Sequence, residues 1–120
     1  METIRKKYIC KHQIKKGIGG LKNLIKLKNE NFSTALMIDQ RVSEGILSNF
    51  FGIKASTTTI PGQLIKKFNI PVVPVYIERT KDICFKIIIH KPIYFSKNDT
   101  IQDITDELNK NLEAMIIKKP

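Results

Sequence analysis

Three polar residues stand at the end of an apolar run, TALMID at 34–39: Asp39, Gln40 and Arg41. A carboxylate can orient a hydroxyl group, and an arginine can bind a phosphate or carboxylate through two parallel hydrogen bonds. Asp also begins turns, so an ordinary turn is the alternative interpretation of Asp39. If TALMID is a buried strand, these residues lie where α/β sheets bind ligands, beyond the carboxyl end of a strand.

A second acid and arginine follow another β-rich run, PVVPVYIE at 71–78. Glu78 and Arg79 are predicted to lie past the end of this strand, so parallel neighbouring strands would bring them close to Asp39 and Arg41. We therefore predict a small polar cluster at one edge of the sheet. A surface ion pair is the alternative for Glu78 and Arg79, and such a pair contributes little stability.

Other catalytic or metal-binding patterns are missing from the sequence. Cys10 and Cys84 are isolated, without a C-x-x-C pair or a nearby histidine pattern, so neither a metal site nor a disulfide framework is predicted. The GIGG at 17–20 lacks the Lys and Ser/Thr of a phosphate-binding loop. We predict no cofactor and no metal.

The charge of the chain is strongly positive. The 120 residues carry a formal net charge of +10, which favours an anionic partner such as a nucleic acid, a phospholipid surface or a phosphorylated substrate. Of the 21 basic residues 18 are lysine and only three are arginine, and Ile and Asn are also abundant, so A/T-rich coding explains part of this charge. No apolar run approaches the roughly 18 residues of a membrane-spanning helix.

The elements that must position these residues follow from periodicity. Ile14, Ile18, Leu21 and Ile25 predict an amphipathic helix, firm over about 20–29. TIPGQLIKKF at 59–68 predicts a helix with Pro61 in its first turn. CFKIIIHKPI at 84–93 predicts a strand that forms a hairpin with the preceding one through RTKD. The last helix is marked by apolar residues at 101, 104, 108, 112 and 115, with Thr100 and Asp103 as N-cap and N3 partner.

This order, α-β-α-β-β-α, predicts an α/β fold: a partial mixed sheet with helices packed on it. No repeat or linker divides residues 1–120, so we predict one domain.

Five segments in order carry a resemblance to a known family: LMIDQR, NFFGIKAST, IPGQL, IPVVPVYIERT and NLEAMIIKKP. Together they resemble the carboxyl-terminal half of the lauroyl/myristoyl acyltransferases of lipid A (lipopolysaccharide) biosynthesis, within the glycerol-phosphate acyltransferase superfamily. The resemblance covers most of residues 14–120. It implies a partial domain, the carboxyl-terminal half of an acyltransferase domain with the fold of that superfamily.

The implied enzyme transfers a fatty acyl group from acyl carrier protein to a hydroxyl of a lipid A precursor, at the cytoplasmic face of the bacterial inner membrane. The family's chemistry uses a histidine followed five positions later by an acid, as base and orienting carboxylate. Here His12 is followed at that spacing by Gly17 and His90 by Phe95. The resemblance thus implies a fragment without its catalytic dyad, peripheral to the membrane and inactive alone.

The resemblance also assigns expected roles to residues. It places Asp39, Gln40 and Arg41 at the substrate site, together with Thr57, Glu78 and Arg79. For Thr57, capping of the following helix is the alternative.

The aromatic pair and its glycine, Phe50, Phe51 and Gly52, are expected to line an acyl channel or enter the bilayer interface, or else to form a satellite core cluster. Ile60 and Gly62 depart from the family's Gly and Ala, and the bulk of Ile60 argues against close approach of a ligand to that helix start.

The rival hypothesis is a small basic nucleic-acid-binding module. Charge favours it, but the aromatic residues are scattered and no RNA- or DNA-binding motif is present. We therefore predict no nucleic-acid partner.

Overall fold

The computed structural model describes residues 2–14, 18–40 and 42–118. Its contacts divide the chain into two compact units, Met1–Leu36 and Met37–Pro120. Four helices and four strands follow the order α-α-β-β-α-β-β-α. The α/β class is confirmed, but the predicted element order and the single mixed sheet are not what the described residues form.

The first unit contains two helices, α1 (Glu2–Tyr8) and α2 (Ile18–Asn29). The predicted helix over 20–29 is confirmed, and its buried side chain is Leu24, with Leu21 and Ile25 half-buried beside it. Helix α1 was not predicted, because its charged sequence has no apolar stripe to mark it. The His12 ring contacts the Phe32 ring edge-on, with the ring centroids 5.0 Å apart.

Two antiparallel hairpins supply the strands of the second unit. Strands β1 (Ile46–Phe50) and β2 (Ile53–Thr57) pair with each other, as do β3 (Val75–Lys81) and β4 (Cys84–Ile89). The β3–β4 hairpin confirms a prediction, although its turn lies at Asp82 and Ile83, later than RTKD suggested. Pro71 and Pro74 delay the start of β3, since proline cannot donate to a strand ladder.

The predicted strand at 34–39 is wrong. The described residues 34–38 are irregular, and Leu36 and Met37 are exposed. A strand buried on both faces needs neighbours that accept and donate its backbone hydrogen bonds. In the described chain every strand is instead paired with its own hairpin partner.

Helices α3 (Ile60–Phe68) and α4 (Ile101–Lys118) form the core of this unit and confirm both predicted helices. Ile65 of α3 and Ile104 and Leu108 of α4 are buried together. Three partly buried side chains pack against this core cluster: Ile38, Val72 and Phe95. Helix α4 also packs against strand β1, which brings the first hairpin to the core.

The predicted cap of α4 is present. The Thr100 hydroxyl donates to Asp103 Oδ2 at 2.6 Å, the Thr100 amide donates to the same oxygen at 2.8 Å, and the Asp103 amide donates to the Thr100 hydroxyl at 3.1 Å. These bonds satisfy orphan donors of the first helical turn. The Thr100 side-chain bond, then its backbone bond, and the charge of Lys66 lower the pKa of Asp103 below its ordinary value.

This cap predicts a pH-dependent stability. Because the pKa of Asp103 is lower in the folded than in the unfolded chain, its stabilisation is present at neutral pH and is lost as the pH falls through the folded pKa, below about pH 4. Urea unfolding should therefore show a stability difference between the unaltered chain and Asp103→Asn that shrinks on acidification. The Glu107→Gln variant removes a carboxylate from the same helix as a control. A difference independent of pH for Asp103→Asn would contradict the prediction.

Candidate functional site

A cleft of about 460 Å³ opens between strand β2, helix α4 and the segment before β1. Its walls combine one acid, one lysine, amides and hydroxyls with apolar side chains. The lining residues are Ile38, Asp39, Gln40, Phe50, Lys54, Ala55, Ser56, Thr57, Asn109 and Leu112. This polar and apolar mixture suits a ligand with a polar head beside a hydrocarbon part.

The β1–β2 hairpin supplies half of the residues that line this cleft. A tight turn between the two strands brings them side by side. Phe51 and Gly52 have φ of 50° and 77°, the two positive values of a type I′ turn. Glycine adopts this conformation freely, whereas for phenylalanine it is unfavourable. The Phe51 amide donates to Glu113 Oε1 of α4 at 2.6 Å, which holds the turn against the helix.

A buried polar network fastens the hairpin to α4. Asn109 Nδ2 donates to Ser48 Oγ at 2.8 Å, to Thr57 Oγ1 at 3.1 Å and to the Asn49 carbonyl at 3.2 Å. Ser48 Oγ in turn donates to Asp106 Oδ1 at 2.5 Å. Asn109, Ser48 and Thr57 are buried, and every buried side-chain polar atom among the described residues has a partner. The network therefore positions the floor of the cleft without unsatisfied groups.

The network is extended at the other end of β1. Gln102 Nε2 donates to Asp106 Oδ1 at 2.9 Å and to the Leu47 carbonyl at 3.2 Å. Gly45, just before β1, lies against the Thr57 carbonyl, so a Cβ at this position would collide with backbone. Close approach of the two strands at this end requires glycine.

Several predicted site residues meet in the cleft: Asp39, Gln40, Phe50 and Thr57 all line it. Capping of α3 is the alternative role considered for Thr57 from the sequence, and Thr57 does not cap this helix. Its hydroxyl donates to the Ala55 carbonyl at 3.3 Å and accepts from Asn109. The Ile60 amide of α3 is instead bonded to the Thr58 hydroxyl at 3.3 Å.

The remaining predicted residues are placed differently. Glu78 and Arg79 lie within β3, opposite Lys86 and Phe85 of β4, and not past the end of the strand as predicted. They are not among the lining residues of the cleft. Arg41 lies outside the described residues. Phe51 and Gly52 form the hairpin turn, where the Phe51 ring contacts the Phe50 ring edge-on at 4.9 Å.

Sequence reasoning missed Lys54, Ser48 and Asn109. Asn109 follows Leu108 on the α4 face that also holds Ile104 and Leu112, and a polar residue at such a position is a signal that could have indicated a buried network. Ser48 gave no such signal. Strand β1 turns this polar residue inward and the apolar Leu47 outward, which reverses the usual pattern.

A second cleft, of about 400 Å³, lies beside the carboxyl-terminal turns of α4 and includes His90, Lys91 and Lys118. The His90 amide donates to the Pro74 carbonyl at 2.9 Å. His90 and Asp39 thus line different clefts, and the described lining of the Asp39 cleft contains no histidine. The Asp39 cleft therefore offers a mixed polar and apolar binding surface, with the carboxylate of Asp39 and no histidine among its described lining residues.

Residues 2–14, 18–40 and 42–118 contain no group of three His, Cys, Asp or Glu side chains that could hold a metal ion. Within the same ranges, every helix is too short or too polar to cross a bilayer.

The chain is similar to a known protein family over nearly its whole length. The family model described as bacterial lipid A biosynthesis acyltransferase matches residues 4–120, nearly the whole chain. A search of curated proteins finds no match.

Proposed function

Since this chain belongs to the bacterial lipid A biosynthesis acyltransferase family, we propose that it serves the transfer of a fatty acyl group from acyl carrier protein to a hydroxyl of a lipid A precursor. The family match over 4–120 is the observation that carries this proposal. The reaction is assigned to the cytoplasmic face of the inner membrane, where the chain acts from the membrane surface.

The proposed task of the Asp39 cleft is to bind the lipid A precursor. Lys54 supplies an ammonium group for a phosphate, and Asp39 and Gln40 accept hydrogen bonds from sugar hydroxyls. Phe50 and Leu112 provide an apolar wall for the start of a hydrocarbon chain. Arg41, Glu78 and Arg79 remain predicted substrate-site residues.

The chain is proposed to bind substrate without activating it. A hydroxyl needs a base to become an effective nucleophile, and the sequence has no histidine followed at the fifth position by an acid. We therefore expect no acyl transfer from acyl carrier protein thioester by the purified 120-residue chain. Acyl transfer by this chain would contradict the proposal that it binds substrate without catalysing the reaction.

The binding role predicts a specific effect of Lys54. Titration of the purified chain with a lipid A precursor in detergent micelles should show affinity falling about tenfold in Lys54→Ala, because a charge-assisted bond to phosphate is lost. Lys86→Ala is the matched control, since Lys86 is also an exposed strand lysine but lies outside the cleft.

A second pair of variants tests the acid of the cleft. Asp39→Ala should weaken binding more than Lys26→Ala, which changes an exposed residue of α2. Equal affinities for both members of either pair would remove the cleft from the proposed substrate site.

A further inference from the structure

The β3–β4 hairpin turns its more apolar face to solvent. Val75 pairs with Ile89 and Ile77 with Ile87, and all four side chains are exposed. On the opposite face Tyr76, Glu78 and Ile88 are half-buried. A hairpin of a soluble domain normally buries its apolar side chains and exposes its polar ones, so this arrangement is reversed.

The exposed surface continues toward the turn. Phe85 extends the two aliphatic pairs on the same face, and Ile83 at the turn is almost fully exposed. We call the set Val75, Ile77, Phe85, Ile87 and Ile89 the β3–β4 apolar face. Contiguous exposed apolar patches beyond a few hundred Å² mark sites of interaction with proteins or membranes.

Cationic side chains flank this face. The Arg79 guanidinium lies over the Phe85 ring, 5.2 Å from its centroid, at the turn end of the face. Lys81 and Lys91 are exposed at the two ends of the hairpin. Arginine and lysine at the border of an apolar surface can bury their aliphatic stems while their charges meet anionic headgroups.

We propose that the β3–β4 apolar face is a docking surface for an anionic lipid bilayer. The choice of a bilayer rests partly on the proposed function, whose acceptor is a lipid, and partly on charge. The net charge of +10 attracts an anionic membrane, whereas it opposes the approach of a second copy of the chain. The proposal moves the membrane contact away from Phe50 and Phe51, which the sequence suggested.

Vesicle co-sedimentation of the purified chain tests the proposal. With phosphatidylcholine vesicles that contain phosphatidylglycerol, the Ile87→Thr/Ile89→Thr variant should partition about tenfold more weakly than the unaltered chain. Threonine is β-branched and keeps the strand preference of isoleucine. Because Ile87 and Ile89 are already exposed, the replacement removes apolar surface without opening the core.

A matched control removes equivalent surface from the other hairpin. Leu47 and Ile53 are 64% and 72% exposed, close to the 63% and 71% of Ile87 and Ile89. The Leu47→Thr/Ile53→Thr variant should partition within about twofold of the unaltered chain, because these residues lie outside the proposed surface. Equal weakening of vesicle partitioning by both double variants would show that general hydrophobicity drives binding, and it would overturn the proposal. Unchanged partitioning of Ile87→Thr/Ile89→Thr would also overturn it.

Fluorescence gives an independent readout. The chain has no tryptophan, so Phe85→Trp introduces a single reporter in the proposed surface. Its emission should shift to the blue on adding anionic vesicles and should be quenched by lipids brominated in their acyl chains. Phe51→Trp, in the other hairpin turn, should be quenched less. Absence of quenching at position 85 would overturn the assignment. It would also be overturned if the chain sedimented as a dimer and did not bind the vesicles. Since none of these assays needs acyl transfer or precursor binding, their failure is separate from that of the proposed function.

Discussion

Replacing Ile104 with alanine is expected to lower the free energy of unfolding by about 3 to 4 kcal/mol. Ile104 is fully buried, in contact with the core cluster that holds Ile65 and Leu108. Removing its outer carbons loses their transfer from water and leaves a cavity that the two helices cannot fill completely. Since domains unfold with about 5 to 15 kcal/mol, this single change should remove a large part of the stability.

Urea titration followed by far-ultraviolet circular dichroism measures the effect. Ile117→Ala is the matched control, because Ile117 lies on the same helix but is exposed. Its effect should stay within about 0.5 kcal/mol. If the two variants unfolded at the same urea concentration, Ile104 would not be the centre of the core.

Removing the amide of Asn109 should have the second largest effect, with Asn109→Ala expected to lower the free energy of unfolding by about 2 to 3 kcal/mol. The substitution takes the donor from Ser48 Oγ, Thr57 Oγ1 and the Asn49 carbonyl at once. Ser48 Oγ and Thr57 Oγ1 would keep only the bonds that they donate, to Asp106 and to the Ala55 carbonyl, and the hydrogen bonds that these buried oxygens accept would be lost without compensation.

A double-mutant cycle separates this network from simple loss of packing. Ser48→Ala combined with Asn109→Ala should cost less than the sum of the single changes, because the two side chains share a hydrogen bond. Asn111→Ala is the control, since its amide bonds only the Glu107 carbonyl and side chain of its own helix. Additive effects of Ser48→Ala and Asn109→Ala would show that the network is not coupled.

The network also links stability to the proposed binding role. Asn109 and Thr57 belong both to the buried network and to the cleft lining. Loosening of the hairpin should therefore move Lys54 and Phe50 relative to Asp39. For this reason Asn109→Ala is a test of the fold, whereas Lys54→Ala, on an exposed side chain, is the cleaner test of binding.

The sequence alone determined the family and the elements whose signals are local. Thr100 and Asp103 indicated the start of α4, and apolar spacing with Pro61 indicated α3, because caps and helical periodicity depend on residues within a turn or two. The β3–β4 hairpin followed from two β-rich runs separated by a short polar segment. Asp39, Gln40, Phe50 and Thr57, named from the resemblance, line one cleft, and their roles there stay predictions.

Tertiary structure decided what depends on distant partners. Residues 34–39 read as a buried strand, yet a strand exists only where another strand pairs with it, and no strand of the described chain pairs with this segment. The β1–β2 hairpin escaped prediction because the bond from Ser48 to Asp106, 58 residues away, makes a polar side chain suitable for the buried face. Burial of a polar group depends on finding its hydrogen-bond partner, and that partner is set by the packing of α4 on β1, which local sequence does not encode.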